Sequence, residues 1–443
     1  MIVRRLHIGE EKRPQALLWF FTVAALFFLL GMEPMTGTER VYAQIMQKIL
    51  QQNDLFFPIM DSGSETPLWF LWSGAAALGL GPRSWSAFLM RLPSALAALA
   101  ALAVTMRLAR REYGERTAML TGWMVAGSCV FLSIGRMGVP LMTVTAVSIL
   151  TVALFFLDRD PADHGRFYRF WLLFFCGAWA GGLSTQCAVL MFLLPFCGLR
   201  SVRRKLLSWH HFFAFVLGCA IYFVPLMLAK YPGSWGQWQA FVAKELARDF
   251  AESTPLRTPS ADLWFYCLLP FFVLQIAALW AAVLRWRKLR RMTWLWGLGL
   301  LLTVGYWSVL PEEGAAPALL LPCGAIFFAA VLDSPAFAGC RRTILGWTRI
   351  LAILTAAMFF CSLCFFVFGD EMLRLELLAP SAFRVAGCGL LGLLVMAVDE
   401  WRPAFWSRVC GLPRDLAAQF LCLALLTSGI LCWVLPMIPK SNP

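Results

Sequence analysis

An all-α membrane protein with many spans is the fold class this sequence predicts, and three observations carry it. Hydrophobic residues make up 60% of the 443 and charged residues 14%, with a mean hydropathy of +0.71, too apolar for a soluble fold. Apolar runs of roughly 17–25 residues, the length that crosses about 30 Å of hydrocarbon, recur from Leu17 to Met437. Short basic clusters punctuate those runs, the pattern of loops on one side of a bilayer.

The first run, Leu17 to Met32, follows a basic segment with Arg4, Arg5, Lys12 and Arg13, and no small-residue cleavage site comes after it. It reads as an uncleaved first span, with residues 1–14 cytoplasmic. Seven basic clusters, Arg4 to Arg13, Arg107 to Arg116, Arg159 to Arg169, Arg200 to Lys205, Arg285 to Arg291, Arg341 to Arg349 and Arg402 to Arg414, hold 26 of the 38 Lys and Arg residues. The positive-inside rule puts all seven in the cytoplasm, so an even number of crossings separates each pair.

That parity settles two ambiguous stretches. Leu68 to Gly81 is 14 residues long, roughly 21 Å as a helix. With Trp69 and Trp72 it is expected to lie in the outer interface. Phe170 to Leu199 is apolar but interrupted at Gly181, Gly182, Ser184, Thr185 and Gln186, and it has basic clusters at both ends. It is expected to be a hairpin of two short arms with residues 184–186 at the tip.

The expected spans are 15–32, 88–108, 117–134, 139–157, 170–184, 187–199, 212–229, 263–284, 293–309, 317–332, 346–368, 382–398 and 416–437, thirteen in all. One transmembrane domain thus runs over 15–437, followed by a short periplasmic tail at 438–443. The large periplasmic loops are 33–87 and 230–262. In the second, Trp235, Trp238, Val242, Leu246 and Phe250 recur at helical spacing opposite Lys244, Glu245, Arg248 and Asp249, which predicts an interfacial amphipathic helix.

The net charge of +13 does not indicate nucleic acid, because the basic residues sit in short loops and form no soluble face with interleaved aromatics. The 14 cysteines lie mostly inside apolar runs, where packing explains them better than a disulfide framework does. Cys361 and Cys364 form a CxxC, but within the apolar run AAMFFCSLCFFVF.

The loop over 33–87 concentrates the polar chemistry, with Thr38, Glu39, Asp54, Asp61 and Glu65 between apolar stretches. A helix is expected from Thr38, with Val41, Ile45 and Ile49 on one stripe and Tyr42, Met46 and Leu50 on the next. Thr38 suits an N-cap and Glu39 the positive first turn, a purely structural reading that stands beside a catalytic one.

Several blocks here resemble a known family. Thr38-Glu39-Arg40-Val41-Tyr42-Ala43-Gln44-Ile45, then Asn53-Asp54, Pro58 and Glu65-Thr66-Pro67 before an aromatic stretch, are similar to D-E-x-R-Y-A-E-I, G-D-W, P and E-K-P. Arg91-Leu-Pro-Ser-Ala-Leu, Leu108-Ala-Arg-Arg-Glu-Tyr-Gly-Glu-Arg, Gly135-Arg136 and Gly182-Leu-Ser-Thr-Gln continue the match over roughly residues 15–200. These are the blocks of the GT-C-fold glycosyltransferases that use lipid-phosphate sugars, the lipid A aminoarabinose transferases and bacterial protein-mannosyltransferase-like enzymes.

The resemblance implies a GT-C-like bundle in the inner membrane. Its donor would be a sugar on a polyprenyl phosphate, and its acceptor lipid A, another envelope glycan or a protein at the periplasmic face. Catalytic carboxylates would be Glu39 and Glu65, the acidic positions retained, with Thr38 at the former aspartate. Arg136 leads the candidates for the phosphate, then Arg91, Lys230, Arg248 and Arg257; Asp61, Gln186 and Tyr42 complete the binding set. A divalent cation, if used, would fall to Glu65 with Asp61, since all four histidines belong to the cytoplasmic side.

Four family positions are changed: Thr38 and Leu141 stand where aspartates are expected, and Thr66 and Gln186 where lysines are. Arg91 and Arg136 can also be read as snorkelling anchors, and Glu245 with Arg248 as a surface pair. A non-catalytic member of the fold, one that binds a lipid-linked sugar or assists a partner transferase, is therefore the alternative.

Overall fold

The structure is a computed structural model that describes residues 2–28, 30–31, 39–40, 42–44, 46, 87–157, 165–199, 202, 208–230, 271–309, 317–338, 346, 349–350, 352–354, 356–357 and 379–429. Regular structure among these residues is helical throughout, with no strand. Helix α1 is Ile2–Phe27, and α2, over the expected second span, is Ala87–Tyr113. The buried side of α2 is built largely of small residues, Ala95, Ala98, Ala101 and Ala109 among them. Small side chains let helix backbones approach closely, the main source of packing energy where lipid removes the hydrophobic drive. Against this face lie α3 (Glu115–Ala126), α4 (Cys129–Arg136) and α5 (Leu141–Leu157).

The expected single span over 117–134 is instead the pair α3 and α4, bent by 59°. The cause is local. Gly127 ends the first helix, and Ser128 starts the second by accepting a hydrogen bond from the Phe131 N–H at 3.5 Å.

The stretch after α5 forms α6 (Gly165–Gly181) and α7 (Leu183–Leu193), the latter running into a 3₁₀ turn at Leu194–Gly198. Gln186 packs on Gly177, while Phe167 and Trp171 share a cavity with Leu193 and Cys197, so the two arms are antiparallel. The reversal falls at Gly182, whose φ of 86° suits a residue without Cβ, rather than at residues 184–186. Gln186 is therefore inside the second arm and not at the tip.

The remaining helices are α8 (Trp209–Lys230), α9 (Phe272–Leu284), α10 (Arg291–Val309), α11 (Pro317–Leu332), the short α12 (Pro335–Ala338), α13 (Ala379–Trp401), α14 (Phe405–Cys410) and α15 (Arg414–Gly429). α8 covers α6, α10 packs on α7, α11 lies against α3 and α5, and α13 pairs with α15. Phe156 stacks on Trp296 at 5.5 Å, joining α5 to α10 through an aromatic core.

Among the described residues one helix, α2, is long and apolar enough alone to cross a bilayer, and the bent α3–α4 pair makes a second if taken as one span. The outside of the bundle is nonetheless apolar: Phe20, Trp209, Trp280, Val283 and Leu301 are all exposed. The interfacial stretch at 68–81, the amphipathic helix in 230–262 and the CxxC pair lie outside the described residues.

Candidate functional site

The site is built on the end of α1. A helix leaves its last four carbonyls without intrahelical partners, and here all four are satisfied. Phe28 N–H donates to Ala24 O at 2.9 Å and Leu30 N–H to Phe27 O at 3.2 Å. The two between them go to Arg136, whose Nη1 reaches Ala25 O at 2.9 Å and Leu26 O at 3.4 Å, and also Phe28 O at 2.8 Å. A guanidinium is favoured at this negative end of the helix dipole. Arg136 is only 5% exposed, and its position at the end of α4 comes from the bend at Gly127 that turns α4 towards α1.

Arg91 on α2 continues the pattern by donating from Nη1 to Leu30 O at 2.8 Å. Its other face meets Glu39. Nε donates to one carboxylate oxygen and Nη2 to the other, both at 2.9 Å, and the Gly138 N–H adds a third bond at 2.7 Å to Oε1. Glu39 is 1% and Arg91 2% exposed, so a planar bidentate pair with its charge-assisted bonds is held out of solvent.

Gly138 makes the third contact possible because a Cβ there would meet Met90 Cβ at 3.1 Å and Met90 O at 3.2 Å. Ser94, two residues beyond Leu92 of the same block, donates to Val139 O at 3.0 Å. The first-loop, Arg91 and Gly135-Arg136 blocks thus close on one another. Residues 39, 40, 42–44 and 46 are helical, and the inward stripe is Glu39, Ala43 and Met46, with Tyr42 half-buried beside it.

Gln186 on α7 is fully buried against a different part of α5, donating from Nε2 to Ser148 Oγ at 2.9 Å, with its Oε1 unpartnered among the described residues. Ser148 is seven residues beyond Leu141, about 10 Å along the helix. Leu141 packs with Val144 and Ala180, so the position where the resemblance expects an aspartate is an apolar contact. Thr38, Asp61, Glu65, Arg248 and Arg257 lie outside the described residues. No three His, Cys, Asp or Glu side chains gather to hold a metal ion among the described residues.

Sequence reasoning missed Gly138, Ser148 and the capping of α1 by Arg136. The glycines of Gly135-Arg136-Met137-Gly138 were the available signal for a close backbone approach. Ser148, one hydroxyl among many inside an apolar run, offered none.

The architecture is that of the GT-C fold. The chain is similar to crystal structures of ArnT from Cupriavidus metallidurans. In the form bound to undecaprenyl phosphate, the TM-score is 0.67 at 16% identity, covering 95% of this chain and 77% of that one. For the apo state the TM-score is 0.64 at 17% identity, covering 97% and 78%. At such identity the fold is what is shared. No family model matches the chain, and no curated protein matches its sequence.

Proposed function

We propose that this chain is an integral-membrane glycosyltransferase that moves a sugar from a polyprenyl phosphate to an envelope acceptor at the periplasmic face. The observation that carries this is the shared fold with an ArnT that binds undecaprenyl phosphate, together with the closure of three motif blocks around Glu39 and Arg91. In this reading the chain crosses the inner membrane thirteen times with its N-terminus cytoplasmic, and the loops at 33–87 and 230–262 face the periplasm. The acceptor is lipid A, another envelope glycan or a protein.

With three donors on its carboxylate, Glu39 is a positioning residue that ties its own helical segment to α2 and to the backbone at Gly138. Taking a proton from an acceptor would require it to give up charge-assisted bonds. Proton removal then falls to Glu65, or is unnecessary because the acceptor oxygen is already ionised. Glu65 and Asp61 are also the oxygen ligands this reading offers a divalent cation.

One observation favours the non-catalytic alternative. The carboxylate next in sequence to Thr38, Glu39, is engaged in structure, and neither Leu141 nor Gln186 supplies a charge. Transfer of labelled sugar from polyprenyl phosphate in membranes containing the protein decides between the two. Transfer above an empty-vector control supports the enzyme; none with any donor, and none restored by Thr38→Asp, supports the binding protein.

A further inference from the structure

The turn from α9 into α10 carries Arg285, Arg287, Lys288, Arg290 and Arg291, five cations in a run of seven residues that holds no acid. Its backbone is fixed: Lys288 N–H donates to Arg285 O at 2.9 Å and Leu289 N–H to Trp286 O at 3.1 Å. Trp294 Nε1 donates to the same Trp286 carbonyl at 2.9 Å, and the two indole rings meet edge to face with centres 6.0 Å apart. Four of the cations are exposed and Arg285 is half-buried. No carboxylate pairs with any of the five among the described residues. Acids on the neighbouring helices are engaged elsewhere, Asp333 with Arg116 and Thr117 and Glu115 with Arg110, while Glu112 lies beside the neutral Tyr113 phenol that Arg290 also approaches. Asp158, Asp160 and Asp163 follow α5, whose Phe156 stacks on Trp296, and lie outside the described residues.

Folding alone gives no reason for this charge. Cations so close repel one another, and Arg290 and Arg291 stand at the positive end of the α10 dipole, where cations are disfavoured. An anion from outside the chain would reverse both costs. We propose that the turn docks on the anionic phospholipid headgroups of the cytoplasmic leaflet, with Trp286 and Trp294 at headgroup level. The apolar surface beside the turn selects lipid over a soluble polyanion. Trp280, Val283, Leu284 and Leu298 are all exposed there, Val283 by 67%, and a soluble partner that covered the cations would leave them in water. In a bilayer the same side chains enter the acyl region, the tryptophans take the interface they favour, and the cations reach the phosphates. Arg287, over the Trp286 ring at 5.4 Å, ties the charged level to the aromatic one. A zwitterionic headgroup brings a cation of its own to five that already repel.

The proposal rests on the membrane reading above and is independent of sugar transfer. The full chain, with photoreactive benzoylphenylalanine in place of Leu284, is reconstituted in vesicles of equal phosphatidylglycerol and phosphatidylcholine, and the captured lipid is identified by mass spectrometry. Both leaflets are alike, so the direction of insertion does not matter. Phosphatidylglycerol should be captured over phosphatidylcholine by about fivefold or more, fivefold being the ratio one cation supplies near a membrane surface. The same probe at the exposed Leu301, about 15 Å along α10 from Arg291, should capture the two equally. Raising the salt from about 0.05 M to about 0.5 M should bring the Leu284 ratio towards that at Leu301 with the chain unaltered. Arg287→Gln with Lys288→Gln should lower the ratio severalfold, and Arg287→Lys should keep it. Asp158→Asn with Asp160→Asn and Asp163→Asn should leave it unchanged. Equal ratios at Leu284 and Leu301, or a ratio indifferent to salt and to the double glutamine variant, would overturn the site. A preference that emerges only in the triple asparagine variant would also overturn it, by making those carboxylates the counter-ions of the turn. A chain that captures no lipid at either position overturns the membrane reading with it, whereas absence of sugar transfer with the ratio intact overturns only the proposed activity.

Discussion

Arg91 grips both carboxylate oxygens of Glu39, through Nε and Nη2 at 2.9 Å each, where neither side chain is more than 2% exposed. The pair joins the first loop to α2, and the Gly138 N–H joins both to the turn before α5.

Breaking this pair should cost stability before it costs chemistry. Removal of one partner leaves a buried charge uncompensated, at about 3–5 kcal/mol. Glu39→Gln and Arg91→Gln are each expected to lower the thermal midpoint of the detergent-solubilised protein sharply, and Glu39→Gln with Arg91→Met to recover part of the loss. A Glu39→Gln protein as stable as wild type would show that the pair does not hold the loop.

The same geometry separates positioning from base catalysis. If Glu39 positions the loop, Glu39→Gln should reduce labelled-sugar transfer to a hydroxyl acceptor and to a phosphate acceptor by the same factor. A loss confined to the hydroxyl acceptor would return Glu39 to the role of base, because an ionised oxygen needs none.

Gly177 and Gln186 should be energetically coupled. A Cβ at Gly177 would lie 2.4 Å from Gln186 Cδ and Nε2, so Gly177→Ala must push the amide off Ser148. Overpacking of this kind costs about 1–3 kcal/mol. In a double-mutant cycle read by thermal unfolding, Gln186→Ala should relieve most of that cost; strictly additive effects would place the two residues apart.

Cys410 offers a test outside the spans. Its buried thiol is pushed up to about 12, so the folded protein keeps it protonated where an unfolded thiol ionises. Alkylation at pH 8 should be slow until the protein unfolds. Because the folded value is the higher one, stability should fall as pH rises above about 9. Rapid alkylation of folded protein at Cys410 would contradict its burial.

Orientation is tested by cysteines introduced at Ser62, Ser253 and Ser201. A reagent applied from the periplasm should modify the first two and spare the third. Labelling at Ser201 would invert the topology and remove the proposed site from the periplasmic face.

The helical content, a reversal within 170–199 and the presence of charges at Glu39, Arg91 and Arg136 between apolar stretches were legible in the residues, because each leaves a one-dimensional trace. Apolar run length marks a helix, a polar and glycine-rich interruption marks a reversal, though not that it falls at Gly182 instead of residues 184–186, and charges between apolar stretches stand out. The bend at Gly127 was not legible. A single glycine and a serine inside an apolar run are common in straight membrane helices, and only the packing of α4 against α1 and α2 shows that the ladder breaks there.

The sequence by itself determined an apolar helical chain, the places where it must turn, and the set of buried charges that would need partners. Only the tertiary structure decided who those partners are. Glu39 meets Arg91 across 52 residues and Gly138 across 99, and Arg136 spends its charge on carbonyls at the end of α1. The physical reason is that a buried charge is satisfied by whichever donors and acceptors the backbone brings within 3 Å, as the fit of Gly138 against Met90 does here, and that approach is written in no spacing along the chain.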